Sequence, residues 1–344
     1  MKILFLNHNL MGRGTWFRCL GFARELVRMG HSVDLWTVSA TVNRRGTQHT
    51  LDGVNVWQTP RWSPVGRHDG GYAPLDILCR VSASTEPHWD VVHAFDHRPN
   101  VLVPWLWKRT LSRIRGQRTL FVSDWCDWWT AGGITTARRP FAWIDRLEQR
   151  MEEGSKRISD GVTVISSVLQ DRARSIGIAD ERILHLPVGV DAALFPQQAP
   201  DKARSARPDM PPGEWLGFVG FSLWDLDLLA AIFHEVRQRR PGVRLLVVGG
   251  GVEQAATSAL RQVDPDGSSI LLPGVVPFAE IPGCLAACDV LLMPLQDTVA
   301  NRARIPNKLG DYYAAGRPVV ASDVGETARS IRRHESGLLA GSPA

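Results

Sequence analysis

The segment Arg304–Ser322 constrains the fold most, because it joins a helix pattern to a strand pattern through a glycine. Between Lys308 and Gly316, apolar and charged positions recur at helical spacing. A Pro-Val-Val-Ala run follows, and short β-branched runs of this kind form buried strands. Lys308 and Asp311 are three residues apart, so both lie on one face of the predicted helix. The segment therefore predicts an α/β unit with a cation and a carboxylate near the start of a helix.

The start of that helix has the chemistry of a nucleotide site. A helix N-terminus offers unpaired N–H groups and the positive end of the helix dipole, which attract phosphate. Asn307 lies at this start, and Lys308 adds a full positive charge. The oxygens of Asp311, one turn further on, can accept hydrogen bonds from two ribose hydroxyls. The alternative is an ordinary amphipathic helix with one ion pair between Lys308 and Asp311.

The same segment resembles the nucleotide-sugar-binding helix of GT-B glycosyltransferases, in the large retaining family called family 4 or group 1. In the subgroup that it resembles, the pattern is Pro-x-Lys-Leu-x-(Glu/Asp)-Tyr-x-Ala-x-Gly-x-Pro-Val-Val-Ala. The matching residues of this chain are Pro306, Lys308, Leu309, Asp311, Tyr312, Ala314, Gly316, Pro318, Val319, Val320 and Ala321. The match is fairly specific, because charged residues, proline and glycine must all fall at fixed offsets.

The resemblance covers nearly the whole chain and is strongest from Gly161 to Val320. It implies an α/β fold of two doubly wound Rossmann-like domains facing a cleft, which is the GT-B fold. It also implies transfer of a sugar from a nucleotide-sugar donor to an acceptor hydroxyl, with retention at the anomeric carbon. No metal and no cofactor beyond the nucleotide-sugar substrate is expected. The implied setting is polysaccharide, glycolipid or glycoconjugate biosynthesis, with a glycan, lipid-linked or small-molecule acceptor.

A chain of 344 residues is long for one hydrophobic core, so two domains are expected. Residues 1–195 are predicted as an acceptor-binding Rossmann-like domain and residues 215–344 as a nucleotide-sugar-binding one. Residues 196–214 are rich in proline and charge without an apolar period, which predicts a linker. Pro187–Phe195 resembles the family's hinge signature, Pro-Asn-Gly-Val-Asp-x-x-x-Phe, with Val188 in place of Asn. Members of the family generally continue with further helices, so the resemblance predicts a short variant or an incomplete chain.

Composition and charge limit the compartment and the partners. The longest apolar runs are far too short to span a bilayer, and no signal-peptide pattern begins the chain. Five scattered cysteines, an odd number without metal-ligand spacing, favour a reducing cytoplasm. Residues 1–200 contain 25 Lys and Arg against 19 Asp and Glu, a net charge of +6. This half predicts an anionic acceptor or peripheral contact at the inner face of a membrane, and no nucleic-acid motif accompanies it. A solvated, arginine-rich surface is the alternative.

The first forty residues predict a βαβ unit around a glycine loop. Lys2–Asn7 predicts a buried strand and Trp16–Met29 an amphipathic helix, and a second strand follows. The loop is not a GxGxxG sequence, so it predicts no dinucleotide site. The resemblance places this loop at the cleft, with Gly12 and Arg13 as acceptor-binding residues and Gly14 as a donor-binding residue. A simple tight turn is the alternative.

Two histidines lie near the end of the next buried strand, Asp90–Ala94. Ligands of open α/β sheets bind outside the carboxyl ends of the strands. His93, Asp96 and His97 are therefore placed for chemistry, and we expect His93 to be catalytic and His97 to contact the acceptor. A histidine at the edge of the core, with its ring nitrogens satisfied, is the alternative for each.

Aromatic and acidic residues cluster after the strand Thr119–Ser123, in the run Asp-Trp-Cys-Asp-Trp-Trp. Aromatic faces stack on sugar C–H groups while carboxylates bind hydroxyls, so this composition suits a carbohydrate. Trp125 and Trp128 are predicted to contact the acceptor. Many family members have a His-Asp pair here, whereas this chain has Ser-Asp, which moves the catalytic expectation to Asp124. The alternative is a tryptophan-rich packing loop.

The second domain departs from the family pattern at two places. The family usually has Gly-Arg…Lys after its first strand, two cations that clamp the donor diphosphate. This chain has Gly220 and Phe221 there, and both cations are missing. The first glutamate of the family's Glu-x7-Glu pair would fall at Ala303 and is also absent, with Asn301 or Arg304 as the expected substitute.

A diphosphate would then depend on Lys308, on Arg302 or Arg304, and on backbone N–H groups. Gly250 lies in a glycine triplet, and Val275 in a loop that resembles the one by which the family holds the base. The expected donor-binding residues are Gly14, Gly220, Phe221, Gly250, Val275, Arg304, Asn307, Lys308, Leu309 and Asp311.

The resemblance implies a reaction without a fixed nucleophile. Lys308 is expected to neutralise the leaving diphosphate and Asp311 to hold the ribose. Asp124 or His93 is expected to orient the acceptor hydroxyl. Two alternatives stay open. One is a catalytically silent GT-B protein that binds sugar nucleotides or glycans, which the missing cations and glutamate favour; the other is a GT-B nucleotide-sugar epimerase, which needs no acceptor.

Overall fold

The computed structural model describes residues 1–62, 71–136, 139, 141–220, 226–249 and 254–341. The chain divides into two compact units, Met1–Pro187 and Val188–Ala344. The boundary falls at the start of the segment Pro187–Phe195, which resembles the family's hinge. No helix among these described residues is both long enough and apolar enough to cross a lipid bilayer.

The first unit alternates strands with helices along most of its length. Its strands are β1 (Lys2–Leu10), β2 (Ser32–Val38), β3 (Thr47–Leu51), β4 (Val54–Thr59), β5 (Val91–Phe95), β6 (Leu120–Trp125), β7 (Gly161–Val164) and β8 (Ile183–His185). Its helices are α1 (Thr15–Arg28), α2 (Pro74–Ala83), α3 (Pro99–Ile114), α4 (Ala142–Ile158) and α5 (Ser167–Ser175).

The sheet of the first unit has the strand order β3-β4-β2-β1-β5-β6-β7-β8. Its strands pair in parallel except for β3, which is antiparallel to β4. The run 3–6 of β1 is apolar and buried, as the inner strands of a parallel sheet require, and β1 lies inside the sheet between β2 and β5. The chain runs from β1 to β2 on one side and later returns with β5 on the other. The carboxyl ends of β1 and β5 therefore form a topological switch point, where open α/β sheets bind ligands.

The second unit repeats this plan with a sheet in the order β11-β10-β9-β12-β13-β14, all of it parallel. Its strands are β9 (Trp215–Gly220), β10 (Arg244–Gly249), β11 (Ile270–Gly274), β12 (Val290–Met293), β13 (Val319–Ser322) and β14 (Gly337–Ala340). Its helices are α6 (Pro200–Arg204), α7 (Leu226–Arg239), α8 (Gln254–Val263), α9 (Ile281–Ala286), α10 (Val299–Ala303), α11 (Asn307–Ala314) and α12 (Gly325–His334). The switch point here lies between β9 and β12. The predicted α/β fold with two Rossmann-like, doubly wound halves is confirmed.

Helix α11 and strand β13 have the helix–glycine–strand order that Arg304–Ser322 predicts. Gly316 follows the helix with φ of 65°, a left-handed backbone that glycine adopts without the cost of a Cβ. The chain can therefore turn sharply and enter β13, whose Val319 and Ala321 are buried in the core.

Residues 196–214 differ from the predicted linker. They contain α6, and Ala203 and Met210 are buried in the core of the second unit beside Trp215. Gln197 Nε2 also donates a hydrogen bond to the carbonyl oxygen of Ala314, at 2.7 Å. The segment is thus part of the second unit. The sequence pattern did not indicate this, because a five-residue helix is too short to show a helical period.

Candidate functional site

Tyr312 shapes the switch point of the second unit. The register of β9 with β12 ends where Leu291 lies opposite Gly217. Beyond that pair, the buried hydroxyl of Tyr312 accepts a hydrogen bond from Val219 N at 3.0 Å and donates one to Leu292 O at 3.2 Å. A side chain of α11 therefore satisfies backbone groups that the ladder leaves open. This fixes α11 against the carboxyl edge of the sheet.

Lys308 lies one turn before Tyr312 on the same side of α11. Its Nζ lies 3.9 Å from the centroid of the Phe218 ring, a cation–π distance. A Cβ added at Gly220 would lie 3.2 Å from the same nitrogen. The ammonium therefore lies beside the end of β9, near the N-terminus of a helix. Full charge and helix dipole act together there, which is an arrangement that binds phosphate.

Asp311 is half-buried and follows Lys308 by three residues. Burial raises the pKa of Asp311 from 3.8 to about 6. A carboxylate that has lost hydration gains from any hydroxyl that donates to its charged form. A ribose with two neighbouring hydroxyls is a ligand of this kind.

Two glycines bring backbone close to this edge. Gly249 ends β10 with φ of 92°, and a Cβ there would lie 2.6 Å from Gly220 O. Gly274 has φ of 76° and open space where a Cβ would be, and Val275 after it is 61% exposed. The end of β10 thus packs closely against the end of β9, and open space lies beside Gly274 at the end of β11.

The remaining predicted donor residues differ in whether the structure offers their side chains to a ligand. Asn307 is the first residue of α11, and Arg304 follows the last residue of α10. Leu309 is buried in the apolar core of the unit, so its side chain is not offered to a ligand in this structure. Phe221 and Gly250 lie outside the described residues.

The suggested substitutes for the missing family residues already have partners. The guanidinium of Arg302 pairs with Asp297 at 2.5 and 2.6 Å. Asn301 donates from Nδ2 to Gln296 O at 2.8 Å and is buried. Arg302 is thus engaged with Asp297, whereas the ammonium of Lys308 lies beside the end of β9.

A second polar cluster lies at the switch point of the first unit. β1 pairs with β5 through Asn7 and Phe95, and the next residues are His8 and Asp96. His8 Nδ1 lies 3.4 Å from Asp96 Oδ2, and His97 Nδ1 lies 2.6 Å from Asp96 Oδ1. All three side chains are buried.

Electrostatics holds Asp96 ionised. Burial alone would raise the pKa of Asp96, but His8, His97 and Arg98 outweigh it and hold that pKa far below its usual value. Burial lowers the pKa of His8, so its ring favours the neutral form. Asp96 also has φ of 88°, a left-handed backbone that residues other than glycine rarely adopt. Backbone strain of this kind concentrates at functional sites.

Trp129 covers this cluster with a partly exposed ring. The ring makes edge contacts with His8 and His97, at centroid distances of 5.8 and 6.4 Å, and Arg98 Cζ lies 4.4 Å from its centroid. Glu152 of α4 fixes the loop, because its carboxylate accepts a hydrogen bond from Trp129 N at 3.3 Å. The cluster therefore joins an aromatic face to histidine and guanidinium groups.

Asp124 and His93 lie in a buried network instead. Arg18 binds both oxygens of Asp124, at 3.0 and 2.8 Å, and Thr163 donates to Asp124 at 2.5 Å. Burial alone would raise the pKa of Asp124, but the charge and hydrogen bonds of Arg18 outweigh it and lower that pKa. His93 Nε2 lies 3.2 Å from Thr163 Oγ1, and its ring stacks on Phe95. Burial lowers the pKa of His93 to about 4. This geometry favours the satisfied core histidine over the catalytic one.

The two predicted tryptophans also differ from expectation. Trp125 is 1% exposed and donates from Nε1 to Glu152 at 2.8 Å, so its ring has no free face for a sugar in this structure. Trp128 is partly exposed, with Arg172 Cζ 4.2 Å from the centroid of its ring. The packing-loop alternative thus describes Trp125 better than acceptor contact does.

The glycine loop after β1 is exposed at Gly12, Arg13 and Gly14. Gly14 caps α1 with φ of 52°, and a Cβ there would lie 2.5 Å from Asn9 Nδ2. The close approach to Asn9 explains the glycine. Contacts of these three residues with a ligand stay predictions.

Sequence reasoning missed His8, Arg98 and Trp129 as site residues. His8 directly follows the predicted strand Lys2–Asn7. Arg98 lies just beyond β5, and Trp129 lies just beyond β6. The switch-point rule could have found His8 and Arg98, but only once the strand order was known. No group of three or more His, Cys, Asp or Glu side chains in the described part of the chain could hold a metal ion.

Comparison with known proteins identifies the family. Residues 13–189 match a family model described as "Glycosyl transferase 4-like domain", and residues 214–344 match one described as "Glycosyl transferases group 1". A curated relative is the GDP-mannose-dependent alpha-(1-6)-phosphatidylinositol monomannoside mannosyltransferase of Mycobacterium tuberculosis, 29% identical over 197 residues. This match covers 54% of the chain and 50% of the relative. The chain spans half or less of the length of the curated relatives that it matches.

Solved structures share the fold over nearly the whole chain. Sucrose-phosphate synthase from Thermosynechococcus elongatus has a TM-score of 0.74 at 16% identity, covering 100% of this chain and 86% of that one. Anabaena HepE in complex with UDP and glucose has a TM-score of 0.67 at 21% identity, covering 99% and 86%. One family model spans half of the chain and these structures share its architecture, so the chain belongs to the group 1 glycosyl transferases, family 4, of the GT-B fold.

Proposed function

We propose that the chain is a glycosyltransferase that moves a sugar from a nucleotide-sugar donor to an acceptor hydroxyl. The observation that carries the proposal is the position of Lys308, beside Gly220 at the switch point of the second unit. The dipole of α11 and the ammonium would together bind the donor diphosphate. Asp311, one turn further on, would accept hydrogen bonds from the ribose. Membership of the family supports this assignment.

A panel of nucleoside diphosphates and their sugars tests which donor the chain binds. The mycobacterial relative is named for GDP-mannose, and HepE was solved with UDP and glucose, so both bases belong in it together with ADP. Calorimetric titration of the full chain with each nucleoside diphosphate and its sugars should show binding for one base. A panel in which nothing binds would argue against the donor site at α11.

Retention, independence of metal and a role in polysaccharide, glycolipid or glycoconjugate synthesis are part of the proposal. Proton NMR of the first-formed product would report the anomeric configuration before it equilibrates. Activity that survives dialysis against EDTA would support a reaction in which Lys308 and backbone N–H groups, without a metal ion, stabilise the leaving diphosphate. Activity lost on chelation and restored by a divalent cation would contradict it.

For the acceptor we propose His97 as the orienting group, in place of Asp124 and His93. Asp96 Oδ1 lies 2.6 Å from Nδ1 of His97. Nε2 of His97 is buried and has no hydrogen-bond partner among the residues that the structure describes, so a hydroxyl that reached it would satisfy it. A carboxylate on one ring nitrogen leaves the other free to accept a hydroxyl proton. The partly exposed ring of Trp129 beside it would stack on a sugar.

Replacing His97 by alanine should lower kcat about 100-fold, since positioned acid–base groups contribute on that order. The donor Kd should stay within about 2-fold, because the donor site lies in the second unit. His88→Ala, an exposed histidine of the same unit, serves as the matched control and should leave kcat unchanged. If His97→Ala kept full activity, the orienting role would have to lie elsewhere.

A catalytically silent binding protein is the second candidate. It is favoured by the alanine at position 303 and by the absence of the family's two cations after β9. Such a protein would bind one nucleotide sugar and neither hydrolyse nor transfer it with any acceptor. An epimerase would instead convert the bound sugar without an acceptor. Product analysis by mass spectrometry and NMR separates the three outcomes.

A further inference from the structure

A basic pocket of about 600 Å³ opens on the first unit, away from the proposed reaction site. Two of its lining residues, Asp160 and Arg182, directly precede β7 and β8. The pocket therefore lies at the amino edge of the sheet, whereas His97 and Trp129 follow the carboxyl ends of β5 and β6. Because the strands are parallel, the two places are on opposite edges.

Four arginines line this pocket against one carboxylate. Arg109 and Arg113 come from the last two turns of α3, Arg157 comes from the last turn of α4, and Arg182 directly precedes β8. With Asp160, the lining carries four positive charges and one negative, a net charge of +3. Like charges held this close are costly unless an anion is present.

The carboxylate is shared and neutralises the cluster only partly. Asp160 Oδ2 accepts a hydrogen bond from Phe121 N at 2.8 Å and lies 3.5 Å from Arg109 Nη1. Burial lowers the pKa of Arg109, and the charges of Arg113 and Arg182 lower it further, while Asp160 acts in the opposite direction. Repulsion among the guanidinium groups is thus felt at Arg109.

Capping of helix ends explains two of the arginines. Arg182 donates to the carbonyl oxygens of Arg157 and Ser159, at the end of α4. Arg157 donates to Ile176 O at 3.1 Å and to Glu153. Arg113 is different, because it caps no helix end that the structure describes. It is exposed, and its guanidinium has no hydrogen-bond or ion-pair partner in the described ranges of the chain.

We propose that this pocket binds a ligand that carries phosphate groups. Guanidinium forks bind phosphate oxygens in pairs, and four arginines line this pocket. A volume of about 600 Å³ exceeds what a single phosphate ion needs, so a diphosphate or a phosphorylated headgroup has room. Leu106 and Ile158 line part of the wall and would contact an apolar portion of the ligand. The site is separate from the proposed transfer reaction.

Calorimetric titration of the full chain with pyrophosphate and with inorganic phosphate tests the proposal. The Lys308→Ala background is used, because pyrophosphate would also occupy the proposed donor site. Arg113→Gln should weaken binding about 10-fold, the loss typical of one hydrogen bond to a charged group. Arg118→Gln is the matched control: it removes the same charge from an exposed position that does not line the pocket, and its Kd should stay within about 2-fold. Binding should also weaken as salt is raised.

Co-sedimentation with phosphatidylcholine vesicles, with and without a phosphatidylinositol phosphate, distinguishes the two sources of phosphate. Binding of free pyrophosphate that depends on Arg113 supports a soluble ligand. Vesicle binding that depends on Arg113 and on the phosphorylated lipid supports a headgroup. Equal losses in Arg113→Gln and Arg118→Gln would reduce the effect to general surface charge and overturn the proposal. Absence of binding to every probe at low salt would also overturn it. If the Arg113→Gln chain with Lys308 intact still binds its nucleotide sugar, the proposed function stands independently of this pocket.

Discussion

Lys308 is the residue on which the proposed chemistry depends most. Its ammonium lies against the Phe218 ring at 3.9 Å and beside Gly220, so its position is fixed before any ligand arrives. A charge placed in advance costs no reorganisation when the diphosphate leaves. The family's usual pair of cations after β9 is missing, so more of the stabilisation falls on this one side chain.

Replacing Lys308 by alanine should therefore lower kcat by more than about 10-fold, in line with other electrostatic terms in catalysis. The other lysine of the second unit, Lys202 on α6, is exposed. Lys202→Ala therefore serves as the control and should leave kcat unchanged. Steady-state transfer kinetics with the donor found by the panel measures both. An unaffected rate in Lys308→Ala would remove Lys308 from the mechanism.

If Asp311 holds the ribose as proposed, donor affinity should depend on pH. Burial raises the pKa of Asp311 in the free protein to about 6, so its protonated form predominates below that pH. Its stabilising contribution to the free fold is present below pH 3.8 and is lost as the pH rises through about 6. Ribose hydroxyls bind the ionised form, so binding must release a proton below this pKa.

Donor affinity should accordingly fall by up to about 10-fold per pH unit below pH 6 and level off above it. Titration should use nucleotide sugars, because the terminal phosphate of a nucleoside diphosphate titrates near the same pH. In Asp311→Asn the pH dependence should disappear. A wild-type affinity that is constant from pH 5 to 7 would contradict the ribose contact.

At the scale of elements, the hydroxyl of Tyr312 links α11 to two strands of the sheet. Tyr312 bridges Val219 N and Leu292 O at the point where β9 and β12 stop pairing. Without that hydroxyl, a partly buried donor and a buried acceptor lose their shared partner, which costs about 1–3 kcal/mol. The position of Lys308, on the same helix, would loosen as well.

Tyr312→Phe should lower the free energy of unfolding by about 1–3 kcal/mol without a change in the denaturant slope. The neighbouring Tyr313 provides the control, because its hydroxyl bonds to Ser330 Oγ at 3.1 Å in a partly exposed position. Tyr313→Phe should cost less than about 1 kcal/mol. Urea titration compares the two variants. If both variants lost the same free energy of unfolding, the Tyr312 bridge between β9 and β12 would contribute no more than the Tyr313 hydroxyl does.

The elements that the sequence predicted well are those with strong local patterns. The apolar runs of β1, β5 and β13 and the glycine after α11 each specify their structure within a few residues. Helix α6 and the burial of Met210 were missed, because a five-residue helix among prolines has no period and its packing depends on residues far along the chain. The pairing of Arg18 with Asp124 spans 106 residues, so no local pattern could show that this carboxylate is already engaged. Switch-point residues such as His8 needed the strand order, which is a property of the whole sheet.

At the scale of the molecule, the two units differ in the spectroscopic probes that they carry. Eleven of the 13 tryptophans fall within Met1–Pro187, and Trp215 and Trp224 fall in the remainder. Tryptophan fluorescence therefore follows mainly the first unit, whereas calorimetry detects the unfolding of both. Ligand binding stabilises whichever folded part holds the ligand.

A nucleotide sugar at 100 times its Kd should add about 2.7 kcal/mol to the stability of the second unit. The proposed donor site thus predicts that the calorimetric unfolding transition of the second unit moves up while the fluorescence-detected transition moves less. Lys308→Ala, heated with the same ligand, should lose the shift, and Lys202→Ala should keep it. A ligand that raised only the fluorescence-detected transition would place the donor in the first unit. That result would reverse the assignment of donor and acceptor sites, because Lys308 and Asp311 would then lie in the unit that the ligand leaves unchanged.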